Sequence, residues 1–244
     1  FDRSIAPSHA MAKILRDNGW PVTDVLPFGV PDVERSCEPA ETPLIAYAGR
    51  LTEEKGVGWL LDGVAKAGPA LRGATVEILG DGPSRPALET QAHRLGIADR
   101  VVFHGKLSRT ESQQVLGRAW VQVIPSLWAE PFGLVTAESL IRGTPVIVTD
   151  QGAPSEMVDD GRTGWVVPVG DVGAMAERLI DATRDRDQML RMGAVASAGA
   201  KIRYDVDTWI DSYLGILGEM LTPKEGSGAE ATHLRSALGG QAAG

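Results

Sequence analysis

Two cations, two carboxylates and a glycine-led helix start are the residues whose types and spacing allow chemistry. Arg50 and Lys55 lie five positions apart in Gly49-Arg50-Leu51-Thr52-Glu53-Glu54-Lys55-Gly56. A guanidinium forks onto two phosphate oxygens, and an ammonium adds a mobile point charge. Taken alone, the pair also reads as solvated surface charge balanced by Glu53 and Glu54. Further on, Pro125-Ser126-Leu127-Trp128-Ala129-Glu130-Pro131-Phe132-Gly133-Leu134 runs into a helical apolar pattern. The first amides of a helix lack intrahelical acceptors and sit at the positive end of its dipole. A helix opening at Phe132-Gly133-Leu134 is therefore an anion site, and Gly133 lets an anion approach the backbone. Cations and an anion site on one edge together point to a diphosphate.

Glu130 and Glu138 have seven residues between them, one before the helix and one inside it. Eight helical residues rise about 12 Å, roughly the span from a sugar across a diphosphate to a ribose. Helical side chains lean toward the N-terminus, so Glu138 can face the site, and a carboxylate accepting two hydroxyls is the usual way to hold a ribose. The plain alternative for Glu138 is a surface helix residue.

Other motifs are weaker. Gly80-Asp81-Gly82-Pro83-Ser84-Arg85 starts like a dinucleotide fingerprint but carries Arg85 where the third glycine belongs. His104-Gly105-Lys106-Leu107 ends another apolar run, and His104 is either a site residue or a plain turn residue. Asp185-Arg186-Asp187 and Asp205-Val206-Asp207 fall at helix junctions, where capping explains them. No His/Cys cluster supports a metal site, and no Gly-x-Ser-x-Gly elbow supports a serine hydrolase.

Elements must bring these residues to one edge. Short apolar runs at 44–48, 74–79, 101–103, 121–124, 145–148 and 165–167 alternate with helical patterns at 59–67, 86–95, 111–119, 132–141, 171–185, 187–200 and 207–221. That alternation predicts an α/β fold, a doubly wound, mainly parallel six-stranded Rossmann-like sheet. Ligands bind beyond the carboxyl ends of such strands, which is where each motif lies. Before the sheet come a helix over about 9–18, capped by Ser8 and stopped by Gly19, an extended stretch at 22–26, and a polar, Pro-rich linker at 31–43. A linker so early predicts that residues 1–30 are the end of a preceding domain. The last stretch, 222–244, is rich in Gly and Ala and is expected to be disordered.

Composition sets the outer limits. The chain has 244 residues, 43% hydrophobic and 23% charged, with a net charge of −8. That is globular composition, with no basic excess for nucleic acid. A single cysteine, Cys37, excludes an internal disulfide framework. No apolar run reaches the roughly 18 residues of a membrane span, and the opening residues are not expected to act as a secretory leader.

In this order, the motifs resemble the C-terminal domain of retaining GT-B glycosyltransferases, the glycogen-synthase and sucrose-synthase-like family (group 1, family four). The matching text is Gly49-Arg50-Leu51 with Glu54-Lys55-Gly56, Gly80-Asp81-Gly82-Pro83, Pro125-Ser126 with Glu130-Pro131-Phe132-Gly133-Leu134 and Ala137-Glu138, Gly143-Thr144-Pro145-Val146-Ile147, and Gly152 through Gly164 with Glu156. It covers about residues 2–221. The resemblance implies an acceptor-domain remnant at 1–30, a linker at 31–43, a nucleotide-sugar domain at 44–203 and a crossover helix at 204–221. Most of the first domain would then be missing, leaving Trp209, Tyr213 and Leu217 exposed. Phe28 departs from the family, which usually has Asn there.

The resemblance further implies transfer of a sugar from a nucleoside-diphosphate sugar to a carbohydrate or lipid-linked hydroxyl, with retention and without metal or other cofactor. Arg50 and Lys55 would stabilise the leaving diphosphate with amides near Phe132, Gly133 and Leu134. Glu130 would hold sugar hydroxyls and Glu138 the ribose. Gly80, Gly82, Ser126 and the stretch His104, Gly105, Lys106 and Leu107 would complete the donor site, the last lying against the base. The expected location is cytoplasmic, with peripheral contact to the inner membrane face open through the missing domain. The alternatives are a catalytically silent nucleotide-sugar-binding module, favoured if the chain acts alone, and a nucleotide-sugar epimerase of the same fold. A dehydrogenase is disfavoured by Arg85 and by the absence of an acidic residue at the second strand's end.

Overall fold

The computed structural model describes residues 3–221 other than Glu34 and Arg72. The disordered tail expected over 222–244 lies outside the described residues. Continuous apolar runs dictate the centre of the molecule. The strands β3 (Leu44–Ala48), β6 (Val121–Ile124) and β7 (Val146–Thr149) are buried along nearly their whole length, as strands covered on both faces must be. With β4 (Thr75–Leu79), β5 (Val101–Gly105) and β8 (Gly164–Val167) they form one sheet in the order β5-β4-β3-β6-β7-β8. Every pairing in it is parallel. The predicted six-stranded parallel sheet is the sheet observed.

Helices α2 (Val57–Ala67), α3 (Arg85–Arg94), α4 (Arg109–Arg118), α5 (Leu134–Arg142) and α6 (Ala153–Met157) return the chain between strands, and α7 (Val172–Arg184) and α8 (Arg186–Arg203) follow the last strand. Strand alternation divides the core between the two faces. Ile45 and Tyr47 of β3 join Leu60 and Val64 of α2 and Met175 and Leu179 of α7. On the other face, Leu44 and Ala46 meet Leu116 of α4, and Val146 and Val148 meet Leu140 and Ile141 of α5 with Ala196 and Ala200 of α8.

The first residues form a separate small layer: β1 (Ile5–Ala6), α1 (His9–Asp17) and β2 (Asp24–Val25), with β1 and β2 paired in parallel. A final helix, α9 (Val206–Leu221), has no buried residue. Arg3 joins the two, bonding Asp24 Oδ1 at 2.9 Å and pairing with Glu219. Tyr213 and Leu217 of α9 are exposed as expected, whereas Trp209 is half-buried, stacked on Tyr213 at 5.6 Å.

Two boundaries differ from expectation in ways that matter for the site. The helix after β6 starts at Leu134, not at Phe132, because Gly133 takes the left-handed conformation (φ 91°) and ends the preceding loop. The strand at 101 continues through His104 and Gly105, so these residues belong to β5 rather than to a loop. The short α6 was not foreseen; its 5 residues are too few for a helical repeat to show. Asp185 and Asp205 do cap helices, accepting from Gln188 and Thr208 amides at 3.1 and 2.8 Å.

Candidate functional site

Strand order places the crevice. From β3 the chain winds outward through β4 to β5, and from β6 it winds the other way through β7 to β8. Loops leaving the neighbours β3 and β6 therefore diverge, and the gap between them is where ligands sit in doubly wound sheets. The loop after β3 carries Arg50 and Lys55, and the loop after β6 carries Ser126 and Glu130.

The two loops are joined at that gap. Lys55 Nζ lies 2.8 Å from Glu130 Oε1, with the side chains only 18% and 15% exposed. Ser126 Oγ donates to the same carboxylate oxygen. The Trp128 ring centroid is 5.5 Å from the ammonium, close enough for a cation–π contact. Backbone reinforces side chain: Leu127 N donates to Glu54 O at 2.8 Å. Thr149 Oγ1 donates to Ser126 O at 2.8 Å, and Ala153 N donates to Glu130 O at 2.9 Å. The turn holding Arg50 is fixed from below by Tyr47, whose hydroxyl donates to Arg50 O at 2.8 Å. Burial, with Glu130 nearby, pushes the Tyr47 phenol well above its ordinary value.

Next to this pair, Arg50 is exposed and lines a cavity of about 470 Å³ with Gly80, Asp81, Lys106, Leu107 and Ser112, a size that suits a small organic ligand. Three loop backbones knit its wall. Gly49 N donates to Leu79 O at 3.0 Å and Gly80 N to Gly105 O at 2.8 Å. A Cβ at Gly80 would fall 1.9 Å from Gly49 O, and one at Gly82 would fall 2.4 Å from Leu51 O. The glycines of the Gly-Asp-Gly motif are thus demanded by close backbone approach, independent of any ligand.

The α5 N-terminus opens after Gly133, and no side chain caps it. Thr136 Oγ1, in its first turn, is buried without a hydrogen-bond partner. A Cβ at position 133 would meet Pro154 Cγ at 2.9 Å.

Not all the expected residues gather here. Phe132 is buried in the core, edge-on to Phe28 at 5.1 Å and to Tyr204 at 5.8 Å, so only its backbone faces the loop. Phe28, the departure noted above, thereby starts a row of three aromatic rings. The His104 ring lies 3.0 Å from Glu77 Oε2 on the neighbouring strand. Gly105 contributes its carbonyl to the Gly80 amide rather than a surface. Glu138 is half-buried on α5 beside Arg142. Burial pushes the Arg142 guanidinium down to about 10, with Glu138 opposing the shift. Arg85 pairs with Glu89 at 2.8 Å and donates to Phe103 O at 3.2 Å, bracing α3 on β5. Among the described residues, no three His, Cys, Asp or Glu side chains are grouped so as to hold a metal ion.

Residues that the sequence did not single out are Tyr47, Ser112 and Trp128. Trp128 lay inside a quoted motif, but only the fold shows its ring beside Lys55.

Residues 32–198 match the family model of the glycosyl transferases group 1. The chain belongs to that family. It is 31% identical over 183 residues to an alpha-D-kanosaminyltransferase of Streptomyces kanamyceticus, covering 74% of this chain and 46% of that one. It is 34% identical over 197 residues to a D-inositol 3-phosphate glycosyltransferase of Nocardia farcinica, covering 77% and 44%. The chain spans about half the length of the curated relatives it matches. Among solved structures, Anabaena HepE in complex with UDP-glucose superposes with a TM-score of 0.79 at 24% identity, over 89% of this chain and 64% of that one. Sucrose-phosphate synthase from Thermosynechococcus elongatus gives 0.77 at 22%, over 88% and 57%. For the group 1 chain described here these likenesses establish the fold, the Rossmann-like sheet of GT-B enzymes. No helix among its described residues is long and apolar enough to cross a membrane.

Proposed function

We propose that this chain carries the donor site of a glycosyltransferase that moves a hexosyl group from a nucleoside-diphosphate sugar to an acceptor hydroxyl with retention of anomeric configuration. One observation carries the reading: Lys55 and Glu130, from loops on opposite sides of the switch point, meet at 2.8 Å in a chain of the group 1 family. HepE is described in complex with UDP-glucose, which supports a nucleotide sugar as donor.

In this reading the base lies in the cavity lined by Lys106 and Leu107. The diphosphate lies between Arg50, Lys55 and the uncapped amides of α5. Lys55 is neutralised by Glu130 in the ligand-free protein, and a diphosphate competes for the ammonium. Glu130, relieved of it, accepts hydrogen bonds from donor-sugar hydroxyls, and Glu138 holds the ribose. As the bond from the anomeric carbon to the diphosphate breaks, Arg50, Lys55 and the α5 dipole stabilise the departing charge. The acceptor oxygen bonds the same carbon from the same face, and its proton passes to the departing phosphate oxygen. No metal is required, because the cations and amides supply the countercharge.

Calorimetry with UDP, GDP and ADP, each with and without EDTA, tests the reading. One nucleoside diphosphate should bind, and Arg50→Ala should weaken it. Binding of none of the three overturns the donor site, and binding that EDTA abolishes overturns metal independence.

A further inference from the structure

The helix α1 lies outside the six-stranded sheet, yet its N-terminus is bonded into the loop that carries Glu130. Its first three amides all meet acceptors. Ser8 Oγ accepts from Met11 N at 3.0 Å. Glu156, on α6, accepts from His9 N at 3.1 Å through one oxygen and from Ala10 N through the other. A carboxylate bonded to the amides of a helix start is also favoured by the dipole. The Ser8 hydroxyl has a second bond, donating to Pro131 O at 2.7 Å across 123 residues of sequence. Capping alone needs only the acceptor half of that hydroxyl; the donor half is spent on the residue directly after Glu130.

Both contacts lead to the same backbone. Pro131 follows Glu130 and has no amide of its own, so its carbonyl is the handle by which the segment is held. The Glu130 carbonyl accepts from Ala153 N, the first residue of the helix that bears Glu156. Ser8 is 4% exposed, so bulk water does not replace its hydroxyl. Glu156 is steadied in turn by Arg203, which donates to its carbonyl at 3.1 Å.

We propose that Ser8 and Glu156 are positioning residues that clamp the backbone of Glu130 to α1, so that the seat of the N-terminal segment sets the seat of the sugar-binding carboxylate. This rests on the donor-site reading above. Binding groups must be held to within about 0.5 Å to function, and supporting hydrogen bonds do this. The diphosphate, held by Arg50, Lys55 and α5, does not depend on the clamp. The sugar does.

The test compares the parent protein with Ser8→Ala, Ser8→Thr and Glu156→Gln by two measurements. The first is amide hydrogen exchange of the ligand-free protein at Ala153, whose amide donates to the Glu130 carbonyl. The second is the affinity for UDP, GDP and ADP against that for their glucose conjugates. Ser8→Ala and Glu156→Gln should speed exchange and lower nucleotide-sugar affinity about tenfold, that is by about 1.4 kcal/mol, as loss of a buried hydrogen bond allows. Affinity for the free nucleotide should stay within about twofold of the parent, and Ser8→Thr should restore both readouts. Unchanged exchange, or equal losses for nucleotide and nucleotide sugar, overturns the clamp. A parent that binds no nucleotide overturns the donor site instead, and exchange alone then decides whether α1 holds Glu130.

Discussion

At the scale of single residues, the partly buried Lys55–Glu130 pair does two jobs, and changing either partner should separate them. Lys55→Ala leaves Glu130 as a largely buried carboxylate supported by Ser126 alone, so both stability and nucleotide affinity fall. Arg50 is exposed and its side chain supports no packing, so Arg50→Ala should leave the thermal midpoint unchanged. Turnover of the enzyme should fall by about 3–4 kcal/mol of transition-state stabilisation. A variant with parental turnover removes Arg50 from the mechanism.

Tyr204 offers a test of pH dependence. Its hydroxyl is buried without a hydrogen-bond partner, and burial pushes its phenol from 10.0 up to about 12. Between these values the unfolded chain loses its proton while the folded chain keeps it. The unfolded state then binds fewer protons, so stability falls as pH rises through this window, by about 1.4 kcal/mol per pH unit. Tyr204→Phe should flatten that alkaline loss, read by thermal melts from pH 9 to 12, and should not destabilise the protein at pH 7, since no bond is lost. An unchanged alkaline slope refutes the assignment.

At the scale of elements, the start of α5 is the most constrained junction in the site. Gly133→Ala places a side chain at φ 91° and 2.9 Å from Pro154 Cγ. It should destabilise the protein by roughly 1–3 kcal/mol and weaken nucleotide binding with it. A thermal midpoint equal to the parent's would show that the junction is free to relax.

The same junction shows what a sequence can reveal. The central strands were legible because both faces are covered and their apolar runs are unbroken, as in Leu44–Ala48. Arg50, Lys55 and Glu130 could be placed near one another from the sequence because each follows a central apolar run, in the loop after β3 or after β6. Phe132 was not: its inward turn depends on Phe28 and Tyr204, distant in sequence. The His104–Glu77 contact needs the register of β4 against β5. The Ser8–Pro131 bond needs the whole fold.

At the scale of the molecule, α9 shows a helical stripe of exposed apolar side chains, Ile210, Tyr213, Leu214, Leu217 and Leu221. Apolar surface of this kind promotes association. Since none of it is buried, changing Leu214 and Leu217 together to Gln should alter stability by no more than about 0.5 kcal/mol per site. It should also reduce any self-association seen by sedimentation. A large loss of stability would mean that the stripe is covered in solution.

The strand order also dictates when the crevice can come into being. Ile45 pairs with Val121, so its central wall waits for a partner made much later in synthesis. Closing so long a loop is entropically slow, and sheets built on distant pairings fold slowly. Until that partner emerges from the ribosome, Lys55 has no carboxylate to meet. The pocket therefore cannot form until the chain has grown past Glu130, and a ribosome stalled before residue 121 should display a half-sheet blind to nucleotide.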